Sequence, residues 1–355
     1  MSVLSSFTLM NLLLVGVAGT KSGPDTALAH ADRTLISEIV RSHQVLRDLP
    51  TSDLVDGDRD RLQGQLTDAE RLLKEGHALL GLEMLASTLP GIEGMARAST
   101  GWDTTGKGGG KGIDELSKEW QEVGRTIEGG RGRFPVAKPA GQSAFVRATA
   151  EQSMGQIDEQ YAVAVDYGRF SGVVAGAYYL GRAQGQLNFG LLLAPLTTPG
   201  VKTERPLPEL TTSLTRLEDE IVTAYAKPGS TAQHSNFIVA NSSLKLAKEL
   251  NQKGWSRGAL LTLLRSSFAL NLAILAAPKT DQETMLSEQI EAFRKKFETS
   301  AYDDTIGLAF VEKAALAIEK SHAGGDAGDR ERLRAHAIVT AVLPRYLDIM
   351  NGTKK

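Results

Sequence analysis

Residues 171–193 read SGVVAGAYYLGRAQGQLNFGLLL, and this stretch decides how the rest of the chain is organised. It carries one charge, Arg182, and it holds five glycines, Gly172, Gly176, Gly181, Gly185 and Gly190. At about 100° per residue, the first, second and fifth glycines share one stripe of a helix with Ala183, and the third and fourth lie on the opposite side. Each glycine costs about 1 kcal/mol relative to alanine, so close helix packing on both faces must offset the loss. The stretch predicts a buried helix, over residues 169–194, at the centre of a bundle.

A membrane span is the alternative interpretation, because small residues at four-residue spacing also pack helices in bilayers. Arg182, Gln184, Gln186 and Asn188 interrupt the segment. Ionisable and amide side chains are costly inside a bilayer, and a span needs about 20 predominantly apolar residues. We therefore expect no transmembrane span in the mature chain.

Composition favours helix nearly throughout the 355 residues, of which 41% are hydrophobic and 6% aromatic. Alternating β-branched runs bounded by turn residues are scarce. The predicted fold is all-α, a multi-helix bundle or irregular α-α superhelix of about 11–12 helices. Two buried apolar helices, at about 169–194 and 255–277, should form its centre, each with an arginine near its middle.

The chain divides into four predicted segments. Residues 1–31 form a signal peptide and leader, 32–98 form N-terminal helical hairpins, 99–141 form glycine-rich linkers around a short helix, and 142–350 form a central and C-terminal helical domain. The leader is predicted from the apolar run Phe7–Ala18 and the small residues that follow it. This pattern predicts a periplasmic or extracellular protein. No Lys or Arg precedes that run, so an N-terminal helix packed on the core of a cytoplasmic protein is the alternative.

Charge and cysteine content narrow the function classes. A net charge of -2 and a pI near 6.3 provide no basic face, so nucleic acid is not an expected partner. The chain has no cysteine, which excludes disulfides, thiolate metal sites and cysteine nucleophiles. Glu319-x-x-His322 has the spacing of half a di-iron site, but no second such pair exists, and we predict neither metal nor cofactor.

Three short motifs approach catalytic signatures without completing them. Gly101–Lys107 matches the first seven positions of a phosphate-binding loop, but Gly108 replaces the hydroxyl residue that holds magnesium. Ser242-x-x-Lys245 has the spacing of an acylating serine and its base, without the companion motifs. Gly141-Gln142-Ser143 begins like a nucleophile elbow and lacks the closing glycine. We predict no catalytic residue, and enzymatic activity stays open.

Two distant segments of the chain share a short internal repeat. Six positions in residues 69–85 match six in 247–263 at identical spacings, namely Ala69, Leu72, Gly76, Gly81, Leu82 and Leu85 with Ala247, Leu250, Gly254, Ala259, Leu260 and Leu263. Both segments resemble tetratricopeptide-type helix pairs, in which small residues at the turn let two helices pack closely. The resemblance covers these two hairpins and lacks the aromatic positions and tandem period of the repeat. Tight helical hairpins in general use the same small-residue turn.

A predicted short helix, residues 113–128, lies between the glycine-rich stretches. It carries a narrow apolar seam formed by Ile113, Leu116, Trp120, Val123 and Ile127. Such a seam suits a groove between two other helices, and it predicts either a mobile partner-docking helix or a helix that covers its own core.

The two arginines of the central helices are the remaining candidate residues. A guanidinium keeps its proton, so Arg182 and Arg265 each need a carboxylate, an anionic ligand or access to water. Asp158, Asp166 and Glu220 are possible internal partners. If the two arginines instead converge on a polar cavity, they could bind a carboxylate or phosphate ligand bidentately.

Two functional hypotheses follow. The first is an exported, non-catalytic helical scaffold or accessory subunit that acts through protein–protein contacts with an unknown partner. The second is a protein that binds a small anionic molecule, or an enzyme of unrecognised type, with a pocket inside the bundle. An exposed apolar groove would favour the first hypothesis, and a large charged pocket the second.

Overall fold

The computed structural model describes residues 31–50, 53–103, 110–170, 172–197, 200–226, 231–279 and 282–352. The predicted leader, with its Phe7–Ala18 run, and the Lys107–Gly108 end of the loop motif lie outside these residues. The all-α prediction is confirmed, because the described residues form helices and contribute only two isolated β-bridges. None of the described helices is both long and apolar enough to cross a bilayer.

The helices follow one another closely along the chain. They are α1 (Ala31–Asp48), α2 (Asp53–Lys74), α3 (Ala78–Ala98), α4 (Ile113–Arg133), α5 (Ala144–Phe170), α6 (Val173–Leu193), α7 (Thr211–Tyr225), α8 (Thr231–Gln252), α9 (Ser256–Ile274), α10 (Glu283–Glu298), α11 (Thr305–Ser321), α12 (Gly325–Ala337) and α13 (Leu343–Met350). A π-helical turn, Ile338–Val342, joins α12 to α13 without a break.

Helix α6 lies between α3 and α5, and α5 also packs on α9, which pairs with α8. One continuous hydrophobic core runs from Leu35 in α1 to Met350 in α13. The predicted segments 32–98 and 142–350 therefore pack against each other rather than standing apart. The second predicted central helix corresponds to α9, whose side chains are buried on most faces.

The glycines of α6 permit close packing on two opposite faces, as their spacing predicts. A Cβ on Gly176 would lie 2.7 Å from the carbonyl oxygen of Ala164 in α5. A Cβ on Gly181 would lie 2.5 Å from the carbonyl oxygen of Glu93 in α3. Real Cβ atoms do not approach carbonyl oxygens so closely, so both faces require glycine at these positions.

The predicted boundary at residue 169 is wrong. Helix α5 ends at Phe170, and Gly172 precedes α6 with a φ of +103°, so the predicted central helix includes a hairpin turn at its start. Gly172 therefore provides the left-handed backbone of a turn and does not belong to the packing stripe.

At two further places local propensity indicates a helix end, but tertiary packing outweighs it. Proline disfavours a helix interior by about 3 kcal/mol, yet α3 continues through Pro90 to Ala98 and buries Ile92 and Met95. Helix α4 continues past Glu128 to Arg133, through residues expected to form a flexible linker. Gly130 in this extension lies so close to the Leu187 side chain that a Cβ would come within 2.6 Å of it.

The two segments with the repeated spacing, 69–85 and 247–263, form equivalent hairpin turns. Gly76 and Gly254 have φ values of +87° and +75°. In each turn the next residue donates its N–H to a leucine carbonyl five positions earlier, His77 to Leu72 at 2.8 Å and Trp255 to Leu250 at 2.9 Å. These bonds satisfy carbonyl groups at the ends of α2 and α8. The repeated spacing therefore reflects the same local turn geometry.

Candidate functional site

Arg265 in α9 lies in a polar cluster between four helices. Its guanidinium is 3.2 Å from the Glu83 carboxylate of α3 and also donates to Oε1 of Gln152 in α5. Lys313 of α11 approaches the same Glu83 oxygen at 3.0 Å. The carboxylate partner of Arg265 is therefore Glu83, which was not among the three candidates from the sequence.

The charges of this cluster stabilise an ionised Glu83. Burial acts to raise the pKa of Glu83, but the cations of Lys313 and Arg265 more than offset it and lower this pKa to about 2. Glu83 therefore carries its charge at every physiological pH. This arrangement uses Arg265 to join α9 to α3.

Arg182 in α6 has different surroundings. Its guanidinium lies 5.7 Å from the centre of the Tyr178 ring, and within the described part of the chain no carboxylate lies within 4.0 Å of it. The side chain is half-buried, and its Nε has no hydrogen-bond partner. No contact joins Arg182 to Arg265, so the structure does not bring the two predicted ligand residues together.

The apolar seam of α4 packs into the chain's own core. Leu116, Val123 and Ile127 are buried, and Trp120 stacks on Tyr161 with 4.7 Å between ring centres. The Tyr161 hydroxyl also donates to the Trp120 carbonyl at 2.9 Å. Ile113, at the start of the seam, is 40% exposed. A partner cannot bind through side chains that are already buried, so α4 is a helix that covers its own core.

The near-catalytic motifs have structural roles or lie on the surface. Buried Ser143 accepts the Val146 N–H with its hydroxyl and so caps α5. Ser242 and Lys245 are both exposed, and the Ser242 hydroxyl donates to the Val239 carbonyl. His322 lies 3.8 Å from Glu283 of α10. Among the residues that the structure describes, no three potential metal ligands come together.

A deeply buried ion pair was not expected from the sequence. Arg147 and Glu151, one turn apart on α5, approach within 2.6 Å. Glu151 also accepts the N–H of Gly258 at the start of α9, at 2.7 Å. Burial raises the pKa of Glu151, although Arg147 opposes the effect. The pair lies at the α5–α9 contact, and the i,i+4 spacing of Arg147 and Glu151 was its only sequence signal.

The described surface has an open groove of about 1260 Å³ that is lined by α7, α8, α9 and α13. We call it the α7–α13 groove. Its floor includes Phe237, Leu270, Ala273 and Ile349, which are largely buried, together with Ile274, which is 51% exposed. Polar residues such as Thr223 on α7 and Thr340 in the π turn form its rim. An apolar floor thus lies inside a polar margin.

One wall of the groove owes its shape to a proline. Pro344 has no N–H, so the regular helical bond to residue 340 cannot form. The preceding turn is π-helical instead, with the Leu343 N–H bonded to the Ile338 carbonyl. Short π-helical turns within α-helices occur frequently at functional sites. Here three residues of or next to this turn line the groove, namely Thr340, Ala341 and Pro344.

Two contacts position α13 beside the groove. The buried Tyr346 hydroxyl of α13 donates to Asp304 at 2.8 Å. Burial and the nearby Asp304 carboxylate raise the pKa of Tyr346, so this phenol remains a donor. Across the groove, Arg345 of α13 pairs with Glu220 of α7. The walls are therefore linked before any partner arrives.

The groove is negatively charged. Its lining includes four carboxylates, Glu209, Asp219, Glu220 and Asp348, and two guanidiniums, Arg216 and Arg345. Both guanidiniums pair with Glu220, Arg216 at 3.2 Å through its Nε. Glu209 and Asp219 are exposed and form no ion pair within the described residues. The unneutralised charge in the groove is therefore acidic.

Sequence reasoning missed this groove. Its lining comes from α7, α8, α9 and α13, which are separate in the chain, and α7 carries the amphipathic pattern of an ordinary surface helix. The signal that could have pointed to it is Pro344, because a proline inside a helical pattern indicates a local irregularity.

The predicted tetratricopeptide resemblance rests on the two hairpins alone and stays a prediction. No protein family, curated protein or solved structure matches this chain.

Proposed function

We propose that the protein is a non-catalytic helical scaffold or accessory subunit that binds a partner protein in the α7–α13 groove. The observation that carries the proposal is the groove itself, with its apolar floor, polar rim and linked walls. Protein interfaces combine a desolvated apolar centre with a polar, solvent-accessible margin, and the groove has this composition.

The dimensions of the groove favour a protein segment over a small molecule. Pockets for small ligands are about 300–1000 Å³ and enclose most of the ligand surface. The groove is larger, at about 1260 Å³, and it is open to solvent along the rim. The anionic-ligand hypothesis gains no support from Arg182 or Arg265, because neither arginine lines this groove.

We further propose that the protein works after export. The support is the apolar run Phe7–Ala18 followed by small residues at Gly16–Ala18 and Ala27–Ala31, a pattern typical of cleaved leaders. The partner would then be another exported or envelope-facing protein.

Site-specific photo-crosslinking tests the binding proposal. A photoreactive phenylalanine analogue would replace Thr223 or Thr340, two exposed residues on opposite walls of the groove. Val136 is 96% exposed and does not line the groove, so it is the matched control. We expect both groove positions, but not Val136, to form an adduct with one and the same protein in the native host. Equal labelling from all three positions, or no adduct from either wall, would refute the proposal.

A further inference from the structure

Resting on that proposed function, we infer that the partner presents a basic amphipathic α-helix, with its apolar face on the groove floor and its Lys or Arg side chains beside Glu209 and Asp219. Three properties of the α7–α13 groove lead to this partner chemistry. They are the type of its walls, its length and its charge.

The walls of the groove are helices. An extended peptide gains affinity by adding a strand to a sheet edge, and the described residues contain no sheet. Strand addition is therefore not available in this groove, and a partner that satisfies its own backbone hydrogen bonds fits helical walls. A helix does so internally and docks through side chains at i, i+3, i+4 and i+7.

The length of the walls sets the length of the helix. Lining residues on α7 extend from Thr212 to Ala224, which corresponds to about 18 Å at 1.5 Å per residue. On the opposite wall they extend from Thr340 to Ile349, or about 14 Å. A docked helix of about three turns, or about 10 to 12 residues, fits between these limits.

The charge of the groove selects the sign of the partner. Arg216 and Arg345 both pair with Glu220, so an acidic partner would have to compete with a carboxylate already in place. Glu209 and Asp219 form no such pair within the described residues and remain exposed. Complementary potentials favour encounter and discriminate against like charge, so the groove fits a cationic segment.

Two synthetic peptides test the inference on the full-length protein. Both have about 14 residues and leucine along one helical face, and the other face carries lysine in one peptide and glutamate in the second. Fluorescence anisotropy of labelled peptide would give Kd at low and at physiological ionic strength. The variants are E209Q/D219N in the groove and, as a control, D166N, which removes an exposed carboxylate on α5 outside the groove.

We expect the lysine peptide to bind the parent and D166N equally, and to bind E209Q/D219N about fivefold more weakly, with a shallower salt dependence. The inference is overturned if the glutamate peptide binds as tightly, if the groove variant binds the lysine peptide like the control, or if the lysine peptide does not bind. If crosslinks from Thr223 and Thr340 persist in any of these cases, the groove still binds a protein and only the partner chemistry is wrong. If those crosslinks are also absent, the proposed function fails too.

Discussion

Replacing Arg265 with methionine should destabilise the protein far more than the same change at Arg182. Both arginines lie near the middle of a central helix, and methionine keeps an unbranched apolar stem in each case. Arg265 pairs with Glu83 and also bonds Gln152, whereas Arg182 lies over the Tyr178 ring. The two substitutions therefore isolate what an internal carboxylate partner contributes.

The expected loss of unfolding free energy depends on the charged groups that remain after each substitution. A buried carboxylate that loses its cation costs about 3–5 kcal/mol, and an exposed pair contributes about 0–1 kcal/mol. The side chains of Arg265 and Glu83 are each 21% exposed, and Lys313 still contacts Glu83 after the change. We therefore expect R265M to lower the free energy of unfolding by about 2 kcal/mol.

At Arg182 the gains and losses nearly cancel. The cation–π contact is worth about 0.5–1 kcal/mol at a partly exposed site. Its removal also eliminates a buried Nε that has no hydrogen-bond partner, and a methionine sulfur can contact Tyr178 instead. We expect R182M to change the free energy of unfolding by less than about 1 kcal/mol.

Urea denaturation followed by far-UV circular dichroism would measure both values, with the slope of the transition as a check that two-state behaviour is preserved. A double-mutant cycle of R265M with E83Q should show a coupling energy of about 1 kcal/mol. If R182M costs as much as R265M, or if the cycle shows no coupling, the paired and unpaired assignments are wrong. If phosphate stabilises the parent more than R265M, Arg265 binds an anion and does not act only as a structural partner.

Three further predictions address the packing, pH response and processing of the chain. Gly181→Ala should lower the free energy of unfolding by about 1–3 kcal/mol, because the new Cβ meets backbone atoms of α3. Gly64→Ala, where the new Cβ has no atom within 4 Å, should raise it by up to about 1 kcal/mol. Urea denaturation of both variants would show whether the two changes have opposite signs. The Glu83 pKa of about 2 lies below the ordinary value of 4.5, so the stability that the Glu83 charge contributes is complete above pH 4.5 and is lost as pH falls towards 2. The difference in unfolding free energy between the parent and E83Q should therefore narrow between these two pH values. A constant difference would contradict the ion-pair assignment. Intact mass of protein from the native host should show an N-terminus between Gly19 and Asp32, and a cytosolic chain that starts at Met1 or Ser2 would refute export.

The sequence predicted the packing of α6 because the relevant information is local. Helical geometry fixes which side chains share a face, so the spacing of Gly176, Gly181, Gly185 and Gly190 was enough to assign two closely packed faces. The same holds for the turns at Gly76 and Gly254, where a left-handed backbone and the preceding leucine define the hairpin. In each case a few neighbouring residues contain the whole physical cause.

Predictions failed where distant contacts outweighed a local preference. Pro90 and the glycines after Glu128 indicate helix ends by propensity, but α3 and α4 continue because the added turns bury Ile92, Met95 and Gly130 against other helices. The reverse error occurred at Gly172, where an apolar stretch suggested continuity and the chain turned. Propensity differences of 1–3 kcal/mol are comparable to the burial of one or two large side chains, so sequence alone does not decide such positions.

The α7–α13 groove could not be predicted for a different reason. It is formed by the packing of several helices, and no local residue pattern indicates how far apart those helices lie. The apolar residues of α7, namely Leu214, Leu217 and Ile221, are buried as their spacing implies, and Arg216 and Glu220 have the i,i+4 spacing of an ordinary surface pair. Their significance appears only when Arg345 of α13 reaches the same Glu220 from the opposite wall. Both guanidiniums of the groove thus contact Glu220, while the exposed Glu209 and Asp219 form no ion pair among the described residues. The tertiary arrangement thus gives common surface residues a shared electrostatic character, and this character is what a partner would recognise.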